Sequence, residues 1–299
     1  MHYAIGDVHG CYQAMIKLIQ KIEREDADAQ FILIGDVIDR GNATPKVLEW
    51  CMKNITRTGK YQMLMGNHEL MFMEWCSREW FPYCEGKKES YAHAHYNGDE
   101  DLKKAGLLTE KKVRQIFDFF RSLPIVQEKL VISPDGRQKL VLAHAWAKKE
   151  EIEQIRNGSK RPKEFFQTFL MDRTGISKDA AYDPDGKEIL IHGHTPTTSA
   201  EVYENGGVPG RIVYRKHAVN IDCGLSHGSA GYDVPANLAA ICLENLKEYY
   251  AYTLEECYAN MQFGDAEAVK RAVLAYKQKY HFSRPDVMRI DLIRQINGA

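Results

Sequence analysis

Residues 29–41 read AQFILIGDVIDRG. The apolar run Phe31–Ile34 leads straight into Gly35-Asp36, the pattern of a strand buried on both faces that ends in a polar turn. Working outward, HYAIGDVHG at 2–10 and YQMLMGNHE at 61–69 repeat the pattern on either side. Between these runs, residues 11–24 carry Met15, Leu18, Ile19 and Ile22 at helical spacing. TPKVLEWCMK at 44–53 reads as a second helix, with Thr44 as N-cap and Pro45 in its first turn. Strand, glycine turn and helix in repetition predict a parallel sheet with helical crossovers. Ligands of such sheets sit outside the carboxyl ends of the strands, where these polar turns fall.

Further along, residues 70–125 are rich in aromatic and charged residues and end in TEKKVRQIFDFFRSLP. They read as a mostly helical insertion, with Trp75, Trp80, Phe81 and Tyr83 better placed as its core than as a base-stacking surface. Strands are expected at 129–133, 139–144 and 188–192. RIVYRKHAVNIDCG (211–224) and NLAAICLE (237–244) read as strands of a second sheet, with KEYYAYTL (247–254) as a further addition. Two helices are expected between 264 and 293. The division is a catalytic domain over 1–260, with the insertion at about 70–125, and a helical C-terminal extension over 261–299.

The chain has 299 residues, 44% hydrophobic, and a net charge of −1, enough apolar sequence for a large core and no basic field of the kind nucleic acid demands. No apolar stretch approaches a membrane span, and the start lacks the layout of a signal peptide. The seven cysteines form no CxxC pair and read as reduced thiols of a cytoplasmic protein.

The chemistry lies in four segments, GDVHG (6–10), GDVIDRG (35–41), GNHE (66–69) and HGHTP (192–196), together with His144 in LAHAWA. Asp7 and His9 alternate along one turn, and the two oxygens of Asp36 can bridge two ions. A workable division gives one metal Asp7, His9 and Asp36, and the other Asp36, Asn67, His144 and His194. Imidazoles with hard oxygens and no thiolate suit Mn²⁺, Fe or Zn²⁺. Two such ions would acidify a water and clamp an in-line phosphoryl displacement. His68 sits beside the second metal without binding it, placed as general acid, and Asp39 is placed to hold its ring. Arg40 offers a planar fork to phosphate oxygens and Arg173 a second clamp. His93 and His95 read as solvated residues of the insertion.

In this order, GD-x-HG, GD-x-x-DRG, GNHE, a distal His and a GH step resemble the calcineurin-like metallophosphoesterases, in particular their phosphoprotein phosphatase branch of phage lambda-type and bacterial Ser/Thr phosphatases. The resemblance runs over roughly residues 2–245. It implies an α/β fold, a β-sandwich flanked by helices in α/β/β/α layers, with a dinuclear site at the strand ends. It also implies the roles just given to Asp7, His9, Asp36, Asp39, Arg40, Asn67, His68, His144 and His194, and it places Arg173 as the further phosphate arginine. Trp146 stands where relatives usually carry Gly or Asp and is expected to line the cleft; His192 is expected beside the metal ligands.

Those motifs imply hydrolysis of phosphomonoesters in phosphoproteins, on phosphoserine and phosphothreonine and in some cases phosphotyrosine, with two divalent ions, Mn²⁺ foremost. Symmetrical diadenosine tetraphosphate hydrolases of the same branch typically lack the second Asp of GD-x-x-DRG and read GNHD, so Asp39 and Glu69 favour a phosphoprotein. The alternatives are a dinucleoside polyphosphate hydrolase and a non-catalytic scaffold; neither nucleic acid nor membrane is an expected partner.

Overall fold

The computed structural model describes residues 1–279 apart from 95–97, 134–135, 159–162, 184, 228–233 and 261–264. Strands β1 (His2–Ile5), β2 (Gln30–Leu33) and β3 (Tyr61–Met63) run parallel, with α1 (Tyr12–Glu23) and α2 (Thr44–Asn54) as crossovers. Helix α3 (Asn67–Trp75) leads through a π-helical turn (Cys76–Trp80) to α4 (Phe81–Cys84), then α5 (Gly98–Lys104) and α6 (Glu110–Arg121). A second sheet follows: β4 (Val126–Ser133), β5 (Gly136–Ala143), α7 (Lys149–Arg156), α8 (Lys163–Met171), β6 (Glu188–His192), α9 (Ala200–Glu204), β7 (Val213–Arg215) and β8 (Ala218–Asn220). The described chain closes with β9 (Ala239–Cys242), β10 (Glu248–Tyr250), α10 (Leu254–Asn260) and α11 (Ala266–Lys279).

The sheets run β10-β9-β1-β2-β3 and β4-β5-β6-β8-β7, both mixed. Within the second, β5, β6 and β8 are parallel. Strand alternation builds two apolar layers. Ala4, Ile32, Ile34, Leu140, Leu142, Ile189 and Ile191 meet between the sheets. Tyr3, Ile5, Phe31 and Leu33 face outward onto Met15, Leu18 and Ile22 of α1. Both faces are buried, which is why these strands read as unbroken apolar runs.

Three expectations are corrected. NLAAICLE joins the first sheet: β9 pairs antiparallel with β1, Ala4 opposite Ile241, satisfying the ladder groups that β1 leaves open on its side away from β2, and β10 extends that edge. Thr44 is not the N-cap of α2. Ala43 holds that place, and the Thr44 hydroxyl accepts the Asp39 N–H at 3.1 Å. Trp146 packs inward, edge-on to the His192 ring at 5.5 Å, and does not line the cleft.

The insertion is helical, and Trp75, Trp80 and Tyr91 form one aromatic cluster with Tyr83 at its rim. Of the C-terminal helices, α11 packs on α10 through Val269, Val273 and Tyr276, whose hydroxyl donates to the Pro209 carbonyl at 2.7 Å. The helix expected at RPDVMRIDLIRQI lies outside the described residues, as does His95.

Candidate functional site

Six loops that leave the carboxyl ends of parallel strands meet at one place. Those after β1, β2 and β3 deliver Asp7 and His9, Asp36 to Arg40, and Asn67 with His68; those after β5, β6 and β8 deliver His144, His194 and Asp222. The halves are tied across the sheets by His194 N–H, which donates to Asp7 Oδ2 at 3.1 Å, while within the second sheet Gly193 N–H donates to the His144 carbonyl at 2.8 Å. Tight turns force an unusual backbone on the residues that must point inward. His9 (φ 43°), Asp36 (50°), Asp39 (70°), Arg40 (64°) and His194 (66°) are all left-handed, a strain that persists where surrounding structure over-determines it. At Gly66 an added Cβ would lie 2.2 Å from Asp36 Oδ1 and 2.4 Å from its backbone nitrogen, and at Gly193 2.2 Å from Asp7 Oδ1.

Three histidines are aimed the same way. His9 Nδ1 donates to the Ile38 carbonyl (2.9 Å), His144 Nδ1 to the Ile34 carbonyl (3.0 Å) and His68 Nδ1 to Asp39 Oδ2 (2.7 Å). Each therefore turns an Nε2 lone pair into the site. His144 Nε2 then faces Asn67 Oδ1 at 2.9 Å, which also lies 2.8 Å from His194 Nδ1. Among the described residues Nε2 of His194 finds no hydrogen-bond partner. Two acceptors facing each other at that range call for a cation between them. Burial holds His9 down to about 3 and His194 to about 2, so these rings are neutral ligands at ordinary pH.

The anionic side makes the same demand. Asp7, Asp36 and Asp222 are buried together. Burial, followed by the charges of Asp222 and Asp36, pushes Asp7 up. Burial would raise Asp36 as well, but His144, His68, His9 and His194 hold it low. Ligand atoms of His9, Asp36 and His68 lie within 4.8 Å of one another, and so do those of Asp36, His144 and His194, with Asp36 common to both. Asp7 belongs to neither triplet. The residues present fit two divalent cations bridged by Asp36.

Arg40 spans the first triplet, Nη1 donating to His9 Nε2 and Nη2 to His68 Nε2, each at 3.2 Å. Burial would lower His68, but the Asp36 charge and the bond to Asp39 raise it. Arg173 is exposed just before a 3₁₀ turn, its charge felt by His144 and His194. His192 stays outside both triplets, its ring against Trp146.

Two residues hold places in the site that the sequence reading did not give them. Glu69 is fully buried and accepts the N–H groups of Asp36 (2.8 Å), Val37 (2.9 Å) and Gly66 (2.8 Å), bracing the loop that carries the bridging carboxylate. Asp222 lies two residues past β8 in NIDCG, the same strand-to-Asp-to-Gly signal as the other turns, and accepts the Gly224 N–H at 2.9 Å.

A two-sheet α/β sandwich with two clusters of His, Asp and Asn donors that share the Asp36 carboxylate, flanked by arginines, is the architecture of a metal-dependent phosphoesterase. The family model of the calcineurin-like phosphoesterases matches residues 3–221, and the chain belongs to that family. Among curated relatives it is similar to the bis(5'-nucleosyl)-tetraphosphatase PrpE [asymmetrical] of Bacillus velezensis, 27% identical over 84% of this chain and 96% of that one. It is also similar to the symmetrical bis(5'-nucleosyl)-tetraphosphatase of Hamiltonella defensa, 29% identical over 61% of this chain and 59% of that one. A cold-active protein-tyrosine phosphatase of a psychrophilic Shewanella species is a structural neighbour at 16% identity, covering 84% of this chain and 80% of that one, with a TM-score of 0.47. Among the described residues no helix is long and apolar enough to cross a membrane.

Proposed function

We propose that this phosphoesterase hydrolyses dinucleoside polyphosphates of the bis(5'-nucleosyl)-tetraphosphate class. The observation that carries the reading is the match to the Bacillus velezensis tetraphosphatase, which runs through 84% of this chain and 96% of the relative. The two motif features that favour a phosphoprotein lose their force once their contacts are known. The carboxylate of Glu69 is spent on three backbone N–H groups, and that of Asp39 accepts from the His68 ring. These contacts inside the site support reading both residues as holding the ligand loop and the His68 ring rather than as markers of substrate class.

Asp7, His9 and Asp36 would hold one divalent ion, and Asp36, Asn67, His144 and His194 the other; Mn²⁺ suits this donor set. When bound, the ions supply Lewis-acid polarisation and charge neutralisation at the phosphoryl group. The chain's own residues do the rest. Arg40 and Arg173 bind non-bridging phosphate oxygens, Arg40 exchanging its bonds to the two imidazoles for bonds to the phosphate. His68, held by Asp39, delivers a proton from Nε2 to the leaving phosphate oxygen. The test is phosphate-bond hydrolysis by Mn²⁺-loaded protein on diadenosine tetraphosphate beside a phosphoserine, phosphothreonine and phosphotyrosine peptide panel at matched concentrations, with His68→Ala as control. Higher kcat/KM on the dinucleotide, lost in the variant, is expected. The opposite preference makes the chain a protein phosphatase.

A further inference from the structure

Trp75 and Trp80 are buried in the insertion core, with Tyr83 exposed at its rim, so the two indoles offer a base no open face. An open groove of about 810 Å³ lies beside the site, between the first turns of α1 and α2, helix α5 and the 252–260 segment. Its size is that of a small-molecule site, about 300–1,000 Å³. We propose that this groove binds the nucleoside phosphate beyond the scissile bond of the substrate, an inference that rests on the function proposed above.

Continuity with the site comes first. The rim residue Cys11 follows His9 by two positions, and Asn42 follows Arg40 by two, so each rim Cα is within about 8 Å of a site Cα. Gly41 N–H donates to the His9 carbonyl and Ala43 N–H to that of Gly10, fastening the two rims together. Asp39 itself abuts α5: a Cβ on Gly98 would lie 2.6 Å from its Oδ1, and Asp101 and Lys104 on the next turn line the groove.

The chemistry of the lining matches the ligand. Lys46 and Lys104 are exposed cations for the further phosphates; Lys104 pairs with Glu100 at 3.8 Å, an exposed pair of little strength. Tyr12 and Tyr252 are half-buried rings on which a base can stack, and Lys17 Nζ already sits 4.6 Å from the Tyr252 centroid. Asp101 is the acidic member, the residue type that accepts from a ribose diol in other nucleotide sites.

The experiment compares wild type with the Lys46→Ala/Lys104→Ala double variant and with Tyr12→Ala, all full-length and Mn²⁺-loaded, on diadenosine tetraphosphate, p-nitrophenyl phosphate and a phosphoserine peptide. The expected result is a fall in kcat/KM for the dinucleotide at least tenfold larger than for p-nitrophenyl phosphate. An equal fall on all three substrates, or none, overturns the proposal, and a selective loss on the peptide overturns it in favour of a peptide groove. Should wild type not turn over the dinucleotide, the proposed function fails by itself. ADP as an inhibitor of p-nitrophenyl phosphate hydrolysis then decides the groove: a tenfold weaker Ki in the double variant sustains it as a nucleotide site, and an equal Ki or no inhibition removes it.

Discussion

Asp39 Oδ2 accepts the Nδ1 proton of His68 at 2.7 Å, with both side chains buried. The pair fixes the ring so that Nε2 faces the reacting centre, and it stabilises the imidazolium. Asp39→Asn keeps the shape and loses the charge. We expect kcat to fall about 10²-fold, the usual scale for a general acid. The pH profile should move as well. An acid catalyst works in its protonated form, so activity is present below its pKa and lost as pH rises through it. Asp36 and Asp39 raise His68 against the effect of burial; removing the Asp39 charge brings the alkaline limb to lower pH. An unmoved limb in the variant's pH–rate profile would assign the proton to another group. The double variant with His68→Ala should be little worse than His68→Ala alone, because the two act as a unit.

Metal removal should expose the repulsion among Asp7, Asp36 and Asp222. Burial is the main cause that lifts Asp222 to about 6, with Asp36 adding to it. The folded chelated protein then binds a proton more tightly than the unfolded chain, whose aspartates titrate near about 3.9. Stability from this group is complete below that value and lost as pH rises through about 6. The lowered histidines favour the fold at pH 7 in any variant, so the effect of Asp222 is read against Asp222→Asn: the Tm of chelated wild type relative to the variant should fall from pH 5 to pH 7, and Mn²⁺ should remove the difference. Asp222→Asn, which can still accept from Gly224, should raise the Tm of the chelated protein at pH 7 and narrow the gain from metal. Thermal melts of both proteins with and without chelator at the two pH values check all of this; a chelated wild-type Tm that rises relative to Asp222→Asn from pH 5 to pH 7 contradicts it.

The strands and their turns were legible because the physics is local. Phe31 to Ile34 must be buried on both faces, and a glycine before an acidic residue must turn. The same locality read Asp36, Asn67 and His68 into one site. What stayed hidden depends on partners far along the chain. NLAAICLE is apolar enough for either sheet, and only the open side of β1 decides the matter. Thr44 looks like a cap because its hydroxyl is suited to one, yet the Asp39 amide claims it. Trp146 turns inward because Gly175 leaves room: a Cβ there would lie 2.1 Å from the indole. Asp222 carried the same turn signal as the other ligand loops but followed a short strand of a hairpin, where a structural turn is the ordinary outcome.

The glycines that let ligand loops touch should be intolerant of a single methyl. In Gly66→Ala the new carbon meets Asp36 backbone and side chain together, and backbone cannot swing aside. Overpacking of this kind costs about 1–3 kcal/mol, and here the shift falls on the bridging carboxylate. We expect Mn²⁺ affinity, read by calorimetric titration, to fall at least tenfold. A variant that binds Mn²⁺ like wild type would show that the loop has slack.

Glu69 separates bracing from substrate choice. Its two oxygens receive three backbone N–H groups. Glu69→Gln leaves one oxygen and presents an NH₂ to amide donors, so at least one buried N–H loses its acceptor. Each hydrogen bond to a charged group is worth about 1.5–3 kcal/mol, and a loss on the order of 3 kcal/mol should appear in urea unfolding. Glu69→Asp keeps the charge but is one methylene short of the loop, and should lose nearly as much. In both variants kcat/KM should fall in the same proportion on dinucleotide and phosphopeptide substrates, because the residue touches Asp36, Val37 and Gly66 and acts on the substrate only through the loop. A change in the ratio of the two kcat/KM values on Glu69→Asp, the substitution that would turn GNHE into GNHD, would restore this position as a marker of substrate class and weaken the argument that moved the assignment from phosphoproteins to dinucleotides.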